Sequence, residues 1–208
     1  HIHLESGFGP EEAHRQLKRR VWMRRLALGN IRQLIVPSQT LVTIARDQWN
    51  IPVAKINYVP NGVDCDRYST TIDPAILPDF KTDPGDVVIG TMTPLRAEKN
   101  LQRLIRAFAS LNNDMGLANT RLLILGEGRE RPVLEKMVQE LELDGRVYMP
   151  GHVTQPEKVL GLIDIYALSS DTEQMPNAVI QAMAACRPVV GLDVGDVRHI
   201  VSADNKSL

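Results

Sequence analysis

From residue 87 onward the chain alternates short β-branched runs with helical stripes of apolar residues, and few folds accept that alternation. Five runs read as strands, at Val87 to Thr91, Arg121 to Leu125, Val147 to Met149, Ile165 to Leu168 and Val189 to Leu192. Between the first two, Leu101, Leu104, Ile105, Phe108 and Leu111 recur at the spacing of one helix face. Leu134, Met137, Val138 and Leu141 repeat the pattern in the next crossover. Strands joined through helices rather than hairpins form βαβ units, so the expected fold class is α/β, a parallel sheet with helices on both faces. The apolar stripes are read as core and not as cofactor contacts.

The first 60 residues follow the same logic with a different charge. A long basic helix is expected near 11 to 28, a strand at Gln33 to Val36, a helix capped by Ser38, and a strand at Lys55 to Val59. Pro60 to Asp64 reads PNGVD, whose Asn-Gly pair marks a turn. From Cys65 to Gly85 the chain carries Pro74, Pro78 and Pro84 with little periodicity, which reads as a linker. The domains are therefore placed at 1–60, with a hinge and linker at 61–85, and at 86–208.

Composition narrows the partners. Net charge is −1 over 208 residues, so the overall balance calls for no nucleic acid. No apolar run approaches the roughly 18 residues of a membrane span, and HIHLESGFG resembles no signal peptide, so a cytoplasmic protein is expected. Cys65 and Cys186 lie far apart without metal-ligand spacing and are expected to be buried thiols; no metal is expected. The chain starts at His1 without a methionine and its last strand and helix pattern stops early, which reads as a fragment.

In an open parallel sheet, ligands bind outside the carboxyl ends of the strands, which directs attention to four loops. The first, TMTPLRAEKN, puts Arg96 and Lys99 ahead of a helix, where they either neutralise a diphosphate or are simply solvated. The second, GEGRE, has Gly126 and Gly128, which permit close backbone approach to a ligand or serve turn geometry only. In the third, Gly151, His152 and Val153 form a tight turn, with His152 read as a surface residue. The fourth places Glu173 before a helix starting near Pro176, whose first amides, on Asn177, Ala178 and Val179, lack intrahelical acceptors and favour a bound phosphate. Glu173 alone is an ordinary dipole partner; four loops of this kind on one edge point to a nucleotide-sugar site.

Taken together, PNGVD at 60–64, PLRAEKN at 94–100, LLILGEG at 122–128, MPGHV at 149–153 and EQMPNAVIQAMAACRPVV at 173–190 resemble the retaining glycosyltransferases of GT-B architecture. That family, the glycosyl transferases group 1, has two facing Rossmann-like domains and uses nucleotide-sugar donors. The resemblance implies a partial acceptor domain at the start and a donor domain truncated at its end. About 80 to 100 residues of a complete enzyme would precede His1, given ordinary domain sizes.

By that resemblance Glu173 contacts the donor sugar, Arg96 and Lys99 hold the diphosphate, and Gly126 and Glu127 line the donor site. The backbone near Val153 meets the base, the amides of Asn177, Ala178 and Val179 face phosphate, and Gln181 holds the ribose. Four departures stand out. Gln181 occupies the place of a second glutamate, Cys186 that of a glycine and Ser6 that of a histidine facing the sugar, while Arg96 is displaced from the family's arginine position, here Pro94.

The implied activity is transfer from a UDP- or GDP-sugar to an acceptor hydroxyl with retention, in cell-surface polysaccharide or glycolipid synthesis, without a metal or other cofactor. The expected partners are the nucleotide-sugar and a glycan or lipid-linked acceptor. The piece at hand is expected to be inactive in transfer. Alternatives are a nucleotide-sugar binding module without turnover and an epimerase of the same fold. A dinucleotide oxidoreductase fits worst, because the full GxGxxG fingerprint is missing after the first strand. Arg15, Lys18, Arg19, Arg20, Arg24 and Arg25, with Trp22 and Met23, form a basic helix read as six cations and no acid. It either lies against anionic lipid at the inner membrane face or a diphosphate-lipid acceptor, or is a solvated face with Leu17, Val21 and Leu28 buried.

Overall fold

The computed structural model describes residues 1–8, 12, 16–68, 72–113 and 117–201. By their contacts these residues form two units. The first comprises the described residues of His1–Gly62, the segment Asp171–Pro176 and the chain from Asp193; the second comprises Val63–Ser170 and Asn177–Leu192. The stretch after Gly62, read from sequence as a linker, thus packs with the second unit. The Glu173 segment, read as part of the C-terminal domain, packs with the first.

In the first unit, β1 (Ile2–Leu4), β2 (Gln33–Val36) and β3 (Ile56–Tyr58) make a parallel sheet in that order. β1 was not expected from the sequence, because a three-residue run with its apolar residues Ile2 and Leu4 exposed carries no burial signal. Its register with β2 pairs Ile2 with Gln33 and Leu4 with Ile35. The helices are α1 (Lys18–Leu28) and α2 (Gln39–Asp47). The start expected for α1 and Arg15 lie outside the described residues. Ser38 caps α2 as its sequence position predicts, its hydroxyl accepting from the Leu41 amide at 3.0 Å. Leu34 and Val36 of β2, Leu41 and Ala45 of α2, and Trp49 form the core of this unit.

The second unit holds β4 (Val87–Met92), α4 (Leu101–Asn113), β5 (Thr120–Leu125), α5 (Arg131–Glu140), β6 (Val147–Gly151), β7 (Ile165–Leu168), α6 (Asn177–Ala184) and β8 (Val189–Gly191). All five strands pair in parallel in the order β6-β5-β4-β7-β8. Leu122 and Ile124 of β5 pack against Leu101, Leu104, Ile105 and Phe108 of α4 and Leu134 and Val138 of α5. Leu123 and Leu125, which point to the opposite face, are equally buried, as a sheet covered on both sides requires. The presumed linker contains α3 (Cys65–Tyr68) and a 3-10 turn at Pro74–Ile76, and it buries Tyr68 and Leu77. Prolines hid this order, because one-turn elements have no periodicity to read. A last short helix, α7 (Val197–Ile200), belongs to the first unit.

The two cysteines correct the sequence reading, since both are exposed free thiols. Cys65 opens α3, and Cys186 sits beyond the end of α6 with φ of 57°. There the Arg187 amide donates to the Ala182 carbonyl at 2.9 Å and the Cys186 amide to Met183 at 2.9 Å, the paired bonds of a Schellman cap. A left-handed residue at a helix end projects into solvent, so the thiol's apolar character does not bury it. Among the described residues no helix is long and apolar enough to cross a membrane.

Candidate functional site

The strand order places a switch point in the second unit. From β4 the chain moves to β5 and β6 on one side, and β7 and β8 lie on the other. The loops leaving β4 and β7 therefore diverge at the carboxyl edge, opening the crevice where such sheets bind ligands. Arg96 and Lys99 are on the first of these loops and Ser169 and Ser170 begin the second. Ser169 ties them together, its hydroxyl donating to the Lys99 carbonyl at 2.8 Å while its own carbonyl accepts from Arg103 Nη1 at 3.0 Å.

Arg96 is exposed, its guanidinium 3.9 Å from the Glu98 carboxylate. Lys99 is half-buried in the turn Ala97–Lys99, which ends at Asn100 in the left-handed conformation. Arg103 was missed from sequence. Its signal was a cation in the first turn of α4, directly after the loop that carries Arg96 and Lys99.

The glycines of GEGRE have a different task from the ligand approach allowed for them. Gly126 has φ of 144°, and a Cβ on it would stand 2.0 Å from the Thr93 carbonyl oxygen. A Cβ on Gly128 would stand 2.3 Å from the Leu95 oxygen. Backbone bonds close the gap, from Leu95 N–H to Glu127 O at 2.9 Å, Glu130 N–H to Leu95 O at 3.1 Å and Gly126 N–H to Gly151 O at 2.8 Å. The glycines let three loops join edge to edge.

Arg131, also missed from sequence, clamps the second and third loops. Its guanidinium pairs with both oxygens of Glu127 at 2.6 and 2.9 Å and donates to the Met149 carbonyl at 3.2 Å. The Arg131 hydrogen bond holds the Glu127 carboxyl below the usual carboxylate range. Glu127 thus sits at the edge as expected, with its charge spent on Arg131. His152 is exposed and Val153 half-buried in the following turn.

α6 begins at Asn177, which is exposed; Ala178 is half-buried, and Val179 is fully buried. Only the Val179 amide, and not its side chain, is in a position to serve an anion. Gln181, in the second turn, is half-buried, and α6 packs against α3, which carries the buried Tyr68.

Glu173 is described within the first unit. Its loop is held by the segment after Asp193, where a Cβ on Gly195 would lie 2.3 Å from the Glu173 carbonyl oxygen. The Asp196 amide donates to the Gln174 carbonyl at 2.9 Å. The fully buried Asp196 carboxylate in turn accepts from the Gln39 and Thr40 amides at 2.5 and 3.0 Å, capping α2. Ser6 follows β1, and its neighbour Gly7 comes against the Gln174 side chain. Glu173 thereby lines a cavity of about 730 Å³ with Phe8, Gln16, Trp22, Ile44 and Gln174.

The basic helix is less basic than its sequence. Glu12, whose side chain is wholly buried, accepts from Arg24 Nη1 and Nη2 at 3.0 and 2.9 Å and from Arg20 at 3.3 Å. Arg24 also lies over the rings of Phe8 and Trp49, 5.0 and 5.3 Å from their centroids. Arg25 donates to the Gln48 carbonyl at the end of α2. Lys18 and Arg19 remain exposed beside Trp22, Met23 and Leu26.

The family model described as glycosyl transferases group 1 matches residues 74–207. The chain belongs to that family. It is 27% identical over 202 residues to the D-inositol 3-phosphate glycosyltransferase of Pseudarthrobacter chlorophenolicus, covering 95% of this chain and 47% of that protein. It is 23% identical to the N-acetyl-alpha-D-glucosaminyl L-malate synthase of Bacillus anthracis, over 72% of this chain and 39% of that one. The chain thus spans less than half the length of these curated relatives. Among solved structures, Anabaena Alr3699/HepE in complex with UDP and glucose superposes with a TM-score of 0.77 at 21% identity, covering 97% of this chain and 55% of that one. WaaG, a glycosyltransferase involved in lipopolysaccharide biosynthesis, gives 0.75 at 16% identity, over 95% and 58%. These superpositions establish the GT-B type fold, with parallel Rossmann-like sheets.

Proposed function

We propose that this member of the glycosyl transferases group 1 forms the donor-binding part of an enzyme that moves a sugar from a nucleotide-diphosphate donor to an acceptor hydroxyl, with retention and without a metal. The observation that carries the reading is that one matched stretch, 74–207, contains every loop of the carboxyl edge and the start of α6. Arg96 and Lys99 neutralise the diphosphate, aided by the α6 amides and the positive end of the helix dipole. Preorganised charges of this kind stabilise the leaving diphosphate as positive charge develops at the anomeric carbon. Glu173 contacts the donor sugar. Gly126 and Glu127 border the site and the backbone near Val153 meets the base.

UDP is the first nucleotide to try, since a structure of similar fold holds it; GDP is the second. Names among the relatives and neighbours support acceptors in polysaccharide or glycolipid synthesis. The exposed Lys18, Arg19, Trp22, Met23 and Leu26 are the surface through which the protein would rest on an anionic inner membrane face. The test is a thermal-shift series with UDP- and GDP-sugars, followed by donor turnover in the full-length protein. A melting point that no nucleotide or nucleotide-sugar moves would sink the reading. Sedimentation with vesicles that is indifferent to anionic lipid would remove the membrane contact alone.

A further inference from the structure

The loop that leaves β4 is fastened on both sides of the switch point. Near its start the fully buried Leu95 donates its amide to the Glu127 carbonyl at 2.9 Å and accepts from the Glu130 amide at 3.1 Å, which joins it to the β5 loop. At its far end the Lys99 carbonyl accepts from the Ser169 hydroxyl at 2.8 Å, which joins it to the end of β7. Residues 96–99 therefore cross the crevice between two anchors, one toward β5 and one toward β7.

The two anchors differ in kind. Leu95 is held by backbone bonds and a buried side chain, whereas the Lys99 end is held through a hydroxyl that one substitution removes. Ser169 is 7% exposed, and its own carbonyl accepts from Arg103 Nη1 at 3.0 Å. Arg103 is itself in the first turn of α4, where its amide donates to the Asn100 side-chain oxygen at 3.2 Å. The serine backbone is thus fixed against α4 while its hydroxyl fixes the turn Ala97–Lys99 that precedes α4. Without the hydroxyl the Lys99 carbonyl loses a buried donor and the turn is released at one end. The cost of ordering it would then fall on the ligand.

We propose that Ser169 is a positioning residue for diphosphate recognition, its hydroxyl holding the Lys99 turn against β7 so that the ammonium is placed before the ligand arrives. The proposal rests on the nucleotide-sugar reading, in which Arg96 and Lys99 neutralise the diphosphate, and the measurement separates the two. Calorimetry on the full-length protein compares UDP with UMP for wild type, Ser169→Ala, Lys99→Met and the double variant. Ser169→Ala is expected to lower UDP affinity about fivefold to tenfold, the worth of one hydrogen bond. UMP affinity changes by less than about twofold, because a monophosphate carries less charge for the lysine to meet. Lys99→Met also lowers UDP affinity, and adding Ser169→Ala to it changes UDP by less than about twofold, since the hydroxyl acts through the ammonium. Melting falls by about 4 °C on Ser169→Ala in either background, because the bond to the backbone carbonyl is present in both. A serine with a merely structural role would move the melting point and show no coupling to the lysine charge.

Ser169→Ala with wild-type UDP affinity overturns the proposal. Equal losses for UDP and UMP do so too, as does an equal loss of UDP affinity with and without the Lys99 ammonium. A Lys99→Met chain that binds UDP as wild type does removes Lys99 from the nucleotide reading and the proposal with it. Failure of wild type to bind either UDP or GDP overturns the nucleotide reading itself.

Discussion

Arg24 grips the Glu12 carboxylate with both terminal nitrogens, at 3.0 and 2.9 Å, while its guanidinium lies over the edge-to-face pair of Phe8 and Trp49. A fork-to-fork pair of this kind is the strong form of an ion pair, and here the acid is withdrawn from water. The most cationic stretch of the sequence therefore includes a structural anchor for the first unit.

The Glu12 pair should make stability depend on acid. Its carboxyl is lowered from 4.5 to about 2, chiefly by the Arg24 hydrogen bonds against the opposing cost of burial. A depressed folded value means the stabilisation is present above the unfolded value near 4.5 and fades as pH falls from there towards 2. The full amount is up to about 3 kcal/mol by linkage. Urea unfolding at pH 7 and pH 3 should show the loss, and Glu12→Gln should remove most of it. A variant with the wild-type pH slope would refute the assignment.

Gly126→Ala and Gly128→Ala should each cost at least about 2 kcal/mol, because the added methyl meets a backbone carbonyl and not a movable side chain. Both should also weaken nucleotide binding, since they part the loops that carry Arg96, Lys99 and Glu127. Thermal melts and nucleotide titration read the two effects separately. Unchanged melting for either variant would contradict the loop contacts.

Cys186→Gly should stabilise the chain by about 1 kcal/mol, because a left-handed cap penalises a Cβ that glycine lacks. Both thiols should react with a thiol reagent in the folded protein, as both are exposed. Slow modification that tracks unfolding would argue against this geometry.

Glu173→Gln should leave donor affinity within about threefold and lower turnover in the full-length protein by a factor of about 100 or more, the range seen when one charge-stabilising group is lost. Turnover equal to wild type would end the role assigned to Glu173.

Much of the fold was legible because periodicity is local. The stripe from Leu101 to Leu111 and the run from Arg121 to Leu125 announce a helix and a buried strand from neighbouring residues alone, and the helix cap at Ser38 is read the same way. β1 was illegible because three exposed-edge residues have too short a pattern, and α3 because prolines and a single turn leave none. The cysteine reading failed for a related reason. Residue type favours burial, but the backbone conformation at Cys186 sends it outward.

The sequence by itself determined a parallel α/β chain and the loops at its carboxyl edge, with Arg96, Lys99, Gly126, Glu127 and the start of α6 among them. Tertiary structure alone decided the strand order β6-β5-β4-β7-β8, which makes the loops of β4 and β7 neighbours at the switch point. It also decided that Arg131 clamps Glu127, that Glu12 consumes Arg24, and that α3 packs against α6. The physical reason is one of range. A helix or strand is selected by contacts within a few residues, whereas strand order and the packing of α3 against α6 depend on which surfaces bury best together, and that is settled only when the whole core closes.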